Sequence, residues 1–571
     1  MLTANDMPLS ETKPAAILKV SPLTLLAVCL LVAMVLLALP IRLPVGGNYW
    51  DIIVYFDAAH RLNNGQTPHT DFFTPVGGLG YYLFVAVKKL WPQANPILAV
   101  QWSTLIIAAP LMALIVAQVD RLSRPQALGL ILPFILFGFL PINGIEAYPS
   151  STFDAFGNYN RQSVLLLYVL VSALMFVQTR VLRNVVIAIL LSALLFIKVT
   201  GFVVGFALVA YALVCGRINW RDFLFALFGF LAINYAIELI NGMYSEYLAD
   251  ILQLVTMNRG TFLPRLAGVM TLKFDMIACI AALLAITAWE ALPRHAAAVT
   301  SGSFQTLFGA ARKLLNSSAA WLAVTAAGAI IFETQNTGSQ EFIFIWPVLL
   351  GILCKWKSSV DKRRPVVLLL IAAITLPVAL HTLYRATRAT AAAIAYQPLP
   401  AEYLDRLGRA SAGKALIARA QILNDHYARF QDSYRSLAKQ DQLPSLALHA
   451  EPDYQVAWLL NVDAAAKALV DYETRNSVHF DSVFSLDFVD PFSYLLNRKP
   501  IRNVSIGIDP TRTFPALTPE TVTEIANMGA ILIPKCPITS FRDQIRDGFE
   551  PALRNRRTVE LTPCWDLSLK N

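Results

Sequence analysis

The sequence predicts a polytopic α-helical membrane protein of about 11 transmembrane helices, followed by a C-terminal α/β domain outside the cytoplasm. Three observations predict it. Apolar runs recur through the first two thirds of the chain, and about 20 such residues cross a hydrocarbon core of about 30 Å as a helix. Lys and Arg mark every second inter-helix segment: Lys13 and Lys19; Arg121 and Arg124; Arg180 and Arg183; Arg217 and Arg221; Arg294, Arg312 and Lys313; and Lys355 through Arg364. After position 382 the apolar runs give way to mixed charge and short strand-like stretches. Because excess Lys/Arg identifies the cytoplasmic side, the N-terminus is placed inside. A bacterial inner (plasma) membrane fits this topology best.

Composition agrees. The 571 residues are 56% apolar, 11% aromatic and 15% charged, which leaves a soluble fold too little polar surface. The net charge of +9 concentrates in the inner loops, where it sets topology and meets anionic headgroups; no nucleic-acid partner is implied. The first apolar run, 21–43, is too long for a signal-peptide core, lacks a small-x-small cleavage site, and reads as an uncleaved helix.

The expected spans are 21–43, 97–118, 126–143, 163–179, 184–197, 201–216, 222–241, 273–290, 318–333, 342–355 and 365–381. An odd number of crossings puts the C-terminus outside. The outer segments are then 44–96, 142–162, the bend at Lys198, 242–272, 334–341 and the chain beyond 382. In 44–96, Ile52, Tyr55, Phe56, Ala59 and Leu62 recur at helical spacing, and Asn63, Asn64 and Gly65 form a stop. A second amphipathic stretch covers 78–90. Both read as helices along the outer interface, with Tyr81, Tyr82 and Trp91 at headgroup depth.

The division is therefore a membrane core, 1–382, and a domain, 383–571. In the latter, a charged helical stretch (401–438) precedes apolar runs at 483–488, 504–508 and 530–535 that read as buried strands. Thr518-Pro519-Glu520 carries helix-opening residues. Cys536 and Cys564 are a disulfide candidate on an oxidising face. Cys29, Cys215, Cys279 and Cys354, in or beside apolar runs, read as packing residues. No metal-ligand spacing occurs, so no cofactor is predicted; a divalent cation is compatible with the sequence but not indicated by it.

The densest polar constellation is NYWDIIVYFDAAHRLNNGQTPHTDFFTPVGGLGYYL, residues 48–83. It holds Asp51, then Ala58-Ala59-His60-Arg61-Leu62, then Gly65-Gln66-Thr67-Pro68-His69-Thr70-Asp71-Phe72, and a Pro/Gly bend from Pro75 to Tyr82. On these motifs the chain resembles the GT-C superfamily of integral-membrane glycosyltransferases, of the dolichyl-phosphate-mannose mannosyltransferase type. Family members often show an Asp opening this loop, an Ala-Ala-x-Arg-Leu turn and a Gly-x-x-Pro-x-x-Asp-Phe segment. Many carry Asp-Glu where this chain has Asp51-Ile52.

The resemblance implies a glycosyltransferase that moves a sugar from a polyprenyl-phosphate donor to a glycan, lipid or protein acceptor on the outer side of the membrane lipid, with Asp51 as base. Elementary chemistry agrees. Lipid phosphate is already a good leaving group, so no general acid is required, and one carboxylate that deprotonates an incoming hydroxyl suffices for inverting displacement. The alternative is that Asp51 only caps the helix it opens. Asp57 lies about 120° away on that helix and is the backup.

Other candidates follow from charge and place. Lys198, in FIKVTGF between two short apolar runs, breaks the positive-inside pattern and is a candidate for the departing phosphate. The resemblance adds Thr200 and Gly201, through a Lys-x-Thr-Gly turn. Arg161 and, in the 242–272 segment, Arg259 and Arg265 are further phosphate candidates; snorkelling or solvated loops are the alternatives. Asp71 can contact acceptor or a cation, or cap a turn. His69 can bond phosphate or be structural. Gln335 and Asn336, with Glu333, suit sugar hydroxyls or an ordinary hairpin.

Two other readings stay open. A polysaccharide or O-antigen ligase-type enzyme relies on outer-face arginines and a His. A lipid-linked sugar flippase or transporter requires polar residues deep in several spans, whereas here they cluster at the outer rim.

Overall fold

The computed structural model describes residues 20–258, 260–299, 304–334, 342–355, 363–440, 442 and 450–571, with side chains described for all of these except 291–299 and 304–308. A helix occupies each predicted apolar run. Length is where expectation and structure part. Among the described residues, four helices are long and apolar enough to cross a membrane: Asn158–Phe176, Arg180–Ile197, Trp220–Asn241 and Arg364–Ala395. Counting three bent pairs as single spans raises that number to seven, against about 11 from the sequence. Some of the others are short because the chain breaks them: Val199–Val214 starts at the extended Lys198, and Pro96–Ser103 bends 43° against Leu105–Asp120.

The outer loop is two helices, Trp50–Asn63 and Leu79–Leu90. The first ends as its composition dictates, at Asn64 followed by Gly65 in the left-handed region, φ +77°. Neither helix lies free on the interface. Ile52, Ile53, Phe56 and Phe84 are buried, and Tyr81 is only 2% exposed. Tyr81 is therefore covered by protein rather than by headgroups; its hydroxyl meets Thr74 Oγ1 at 2.9 Å. The 242–272 segment, read from sequence as a loop, is also helical: Met243–Met257 and Phe262–Leu272, with Leu252 and Leu263 about 70% exposed.

Residues 383–571 build upon this layer. A four-stranded sheet orders Val483–Ser485, Ala530–Pro534, Trp565–Lys570 and Arg556–Thr562, the first pair parallel and the others antiparallel. The helix Pro519–Ala526 opens as predicted, with the Thr518 hydroxyl accepting from Thr521 N–H. Cys536 and Cys564 are bonded to each other. The expected strand 504–508 is not one. Val483–Ser485 and Trp565–Lys570 occupy the two sides of Ala530–Pro534, and 504–508 runs instead as a loop whose Ile506 N–H bonds Phe73 O at 3.1 Å.

That loop belongs to a broad seam between the outer helices and the C-terminal residues. Trp50 packs against Tyr454, Trp458 and Phe488 at centroid distances of 5.5–6.1 Å, and its main-chain N–H donates to Gln455 Oε1. Arg61, buried, donates to Ile501 O at 2.8 Å. Leu43–Pro44 pairs in parallel with Ala410–Ala412. Aromatic burial and satisfied main-chain bonds of this kind hold the two regions as one packed body.

Candidate functional site

Asp51 stands in the first turn of Trp50–Asn63, and its carboxylate Oδ2 accepts the Gly157 N–H at 3.3 Å. Gly157 has φ +66°, a conformation open to glycine without strain, and this turn aims its N–H at the acid. Behind it, the chain from 143 to 158 is fixed by two buried arginines. Arg161 spends all five guanidinium donors within the protein: on Gln101 Oε1, Asn143 Oδ1, Phe156 O, Asp154 O and Asn158 Oδ1. Arg385, near the end of Arg364–Ala395, donates to Asn143 O and to Asp154 Oδ1, both at 2.8 Å.

Two cavities meet at Asp51. The first, about 300 Å³, joins Asp51 to Lys198, Arg265 and Arg512. Apolar and aromatic side chains, among them Val54, Val76, Ile251, Leu254, Tyr55 and Tyr81, make much of its remaining wall, with Asn158, Thr200, Asn258, Asp509 and Thr513 as polar members. The second, about 450 Å³, runs from Asp51 past Gly157 and Trp50 to Glu333 and Leu272. Asp51, Tyr159, Arg265, Phe488, Asp509 and Arg512 line both.

The Asp51 carboxyl is raised by burial from the ordinary carboxylate range to about 6, against the opposing pull of the Gly157 N–H, Arg512 and Arg161. It is thus largely ionised at neutral pH yet basic enough to accept a proton. Lys198 lies across the first cavity, in the turn between two helices; its Nζ donates to Asn160 Oδ1 at 3.1 Å and sits 4.7 Å from the Tyr159 ring centre. Arg512 is half exposed, and its Nε donates to the buried Asp509 at 2.9 Å. Asp509 also accepts the Thr511 N–H and hydroxyl. That tight turn, anchored through Asn258 Nδ2 to Arg512 O, delivers a C-terminal cation to the cavity.

The remaining sequence candidates fall elsewhere. Arg161 lines neither cavity and has no donor left for a ligand, so its expected phosphate role gives way to a structural one. Asp57 forms a buried pair with Arg61 at 2.8 Å and also lies off the cavities. Asp71 accepts from Thr67 N–H and from Arg502 of the C-terminal region, pinning the seam. His69, φ +69°, bonds Asp250 at 2.7 Å and, with Asp71, lines a separate outer cavity of about 200 Å³. Arg259, Gln335 and Asn336 lie outside the described residues. Among the described residues no group of three or more His, Cys, Asp or Glu side chains is placed to hold a metal ion.

Asp509 and Arg512 escaped the sequence reading. Asp-Pro-Thr-Arg reads as a turn, and nothing local tells that a turn near the C-terminus closes over an acid near the N-terminus.

No family model and no curated protein matches this chain. Two solved structures resemble it, both of ArnT from Cupriavidus metallidurans. The apo state gives a TM-score of 0.40 at 12% identity over 95% of this chain and 97% of that one. The form bound to undecaprenyl phosphate gives 0.39 at 13% identity over 95% and 98%. At that degree of likeness, the function of this chain rests on its own site.

Proposed function

We propose that this protein is a membrane glycosyltransferase that takes a sugar from a polyprenyl-phosphate donor and passes it to a hydroxyl-bearing acceptor. The observation that carries the reading is Asp51 as the common wall of two cavities, one of them both cationic and apolar. A lipid phosphate asks for fixed positive charge beside apolar surface, and Lys198, Arg265 and Arg512 sit among valines and leucines. The second cavity brings the acceptor to the other side of the same carboxylate.

In this reading Asp51 accepts the proton of the acceptor hydroxyl as its oxygen bonds to the anomeric carbon. The bond from that carbon to phosphate breaks, and its electron pair leaves on the phosphate oxygen. Lys198, Arg265 and Arg512 stabilise the charge that develops there, beside apolar walls that strengthen such contacts. The anomeric configuration inverts. The C-terminal region then serves the site directly, through Arg512, as well as covering it.

The test is a transfer assay on the purified full chain with a labelled polyprenyl-phosphate sugar, reading released polyprenyl phosphate and label in an acceptor fraction. Release that requires protein and is abolished by Lys198→Met together with Arg512→Gln supports the reading. Donor that binds and returns intact on the opposite leaflet of a vesicle would instead make the protein a carrier.

A further inference from the structure

A cavity of about 520 Å³ lies at the opposite end of the helix bundle from Asp51. Val199–Val214 runs from the Lys198 turn at one face to Gly216 and Arg217 in the wall of this cavity at the other. It is the face whose connecting segments carry Arg121, Arg124, Arg180 and Arg221. No reading of the transfer site uses it.

Two guanidinium groups form its floor, Arg183 buried and Arg217 partly so. Arg183 is 8% exposed; its Nη2 donates to Asp222 at 3.2 Å, while its Nε finds no acceptor among the described residues. Arg217 donates to the carbonyls of Leu174 and Met175, the last turn of Asn158–Phe176, and to Asn316 Oδ1 at 3.2 Å. Gln126, Gln178 and Asn316 add amides, and among the described residues no Asp or Glu lines the cavity. With Asp222 behind Arg183 as the near counter-charge, the floor keeps an excess positive charge in a low-dielectric setting, which favours an anion. Its rim is apolar and faces outward: Leu122 is 61% exposed. A basic crevice between helix ends with an apolar rim matches a phosphate ester whose alkyl part remains in the bilayer.

We propose that this cavity binds a phosphate anion at the membrane face remote from Asp51, with Arg183, Arg217 and the amide of Gln126 as its contacts. The source is either a phospholipid headgroup or free phosphate, and one experiment separates them. The full chain in a zwitterionic detergent is unfolded thermally with short-chain phosphatidylglycerol, with phosphatidylcholine of equal chain length, and with inorganic phosphate. Gln126→Glu places a carboxylate in the wall without removing either arginine; Gln178→Glu is the second variant, used if the first does not fold.

Phosphatidylglycerol is expected to raise the unfolding midpoint by about 1–3 °C over phosphatidylcholine, and the carboxylate variant to require about tenfold more of it. Stabilisation by phosphatidylglycerol alone assigns the lipid. An equal effect of inorganic phosphate, also weakened in the variant, assigns the free anion. Equal response to both lipids with none to phosphate, or an anion response unchanged in the variant, overturns the proposal.

Discussion

Replacing Asp51 by Asn tests the base through two readouts that move in opposite directions. Burial raises this carboxyl from 3.8 to about 6. A group with that value is roughly 90% ionised at pH 7 and roughly 10% at pH 5. In the proposed mechanism the ionised form is the base, so activity of the unaltered protein is expected to fall as pH drops through 6, by about tenfold per unit below it. Asp51→Asn keeps an oxygen for the Gly157 N–H but cannot take a proton, and turnover is expected to drop by about 10²–10⁴-fold and lose that acid limb. Stability runs the other way. The folded-state value lies above the unfolded one, so the native protein binds more protons between about pH 4 and 6, and stability decreases as pH rises through that window. At neutral pH the ionised carboxylate opposes folding by at most about 3 kcal/mol, an opposition that the neutral amide lacks. The variant is therefore expected to unfold no more easily than the parent at pH 7. Transfer assays between pH 5 and 7.5, with thermal unfolding of both proteins, decide it. Normal turnover in Asp51→Asn, or a flat parental profile across that range, refutes the reasoning.

Lys198→Met is expected to raise the KM for the lipid donor about 10–100-fold with a smaller effect on unfolding, since a charge-assisted contact to phosphate is lost while the apolar stem is kept. Arg512→Gln is expected to act in the same direction and, because Arg512 is half exposed, more weakly; titration with donor measures both. Arg161→Gln should instead destabilise by about 3–5 kcal/mol, because it strips the guanidinium from five buried neutral acceptors at once, and chemical denaturation reads this directly. Reduction of Cys536–Cys564, which closes a segment of 28 residues, should lower stability by about 3–4 kcal/mol, read as a shift in denaturant midpoint with and without reductant.

The outer loop was legible because its signals are local. Helical spacing of Ile52, Tyr55 and Phe56 and the Asn-Asn-Gly stop give Trp50–Asn63 without reference to any other residue. Thr518 as a cap is legible for the same reason. The same reasoning misplaced Tyr81, because amphipathicity says that one face is covered but not by what; here protein covers it rather than headgroups. It also made 504–508 a strand, since a short apolar run has no period of its own and competes for a sheet position that a later hairpin occupies.

The arginines divide the two kinds of knowledge most clearly. Arg161 and Arg512 are equally cationic, and sequence position favoured Arg161, at the mouth of an apolar helix. Packing reversed them: Arg161 is enclosed by five acceptors, whereas Arg512 reaches the cavity from the far end of the chain. By itself the sequence determined the apolar runs, the stop after Asn63 and the acid that opens the helix Trp50–Asn63, because each is written within a few turns of chain. Only the tertiary structure decided which charges face that acid, since a buried cation is committed to whichever acceptors the folded chain brings within hydrogen-bonding reach.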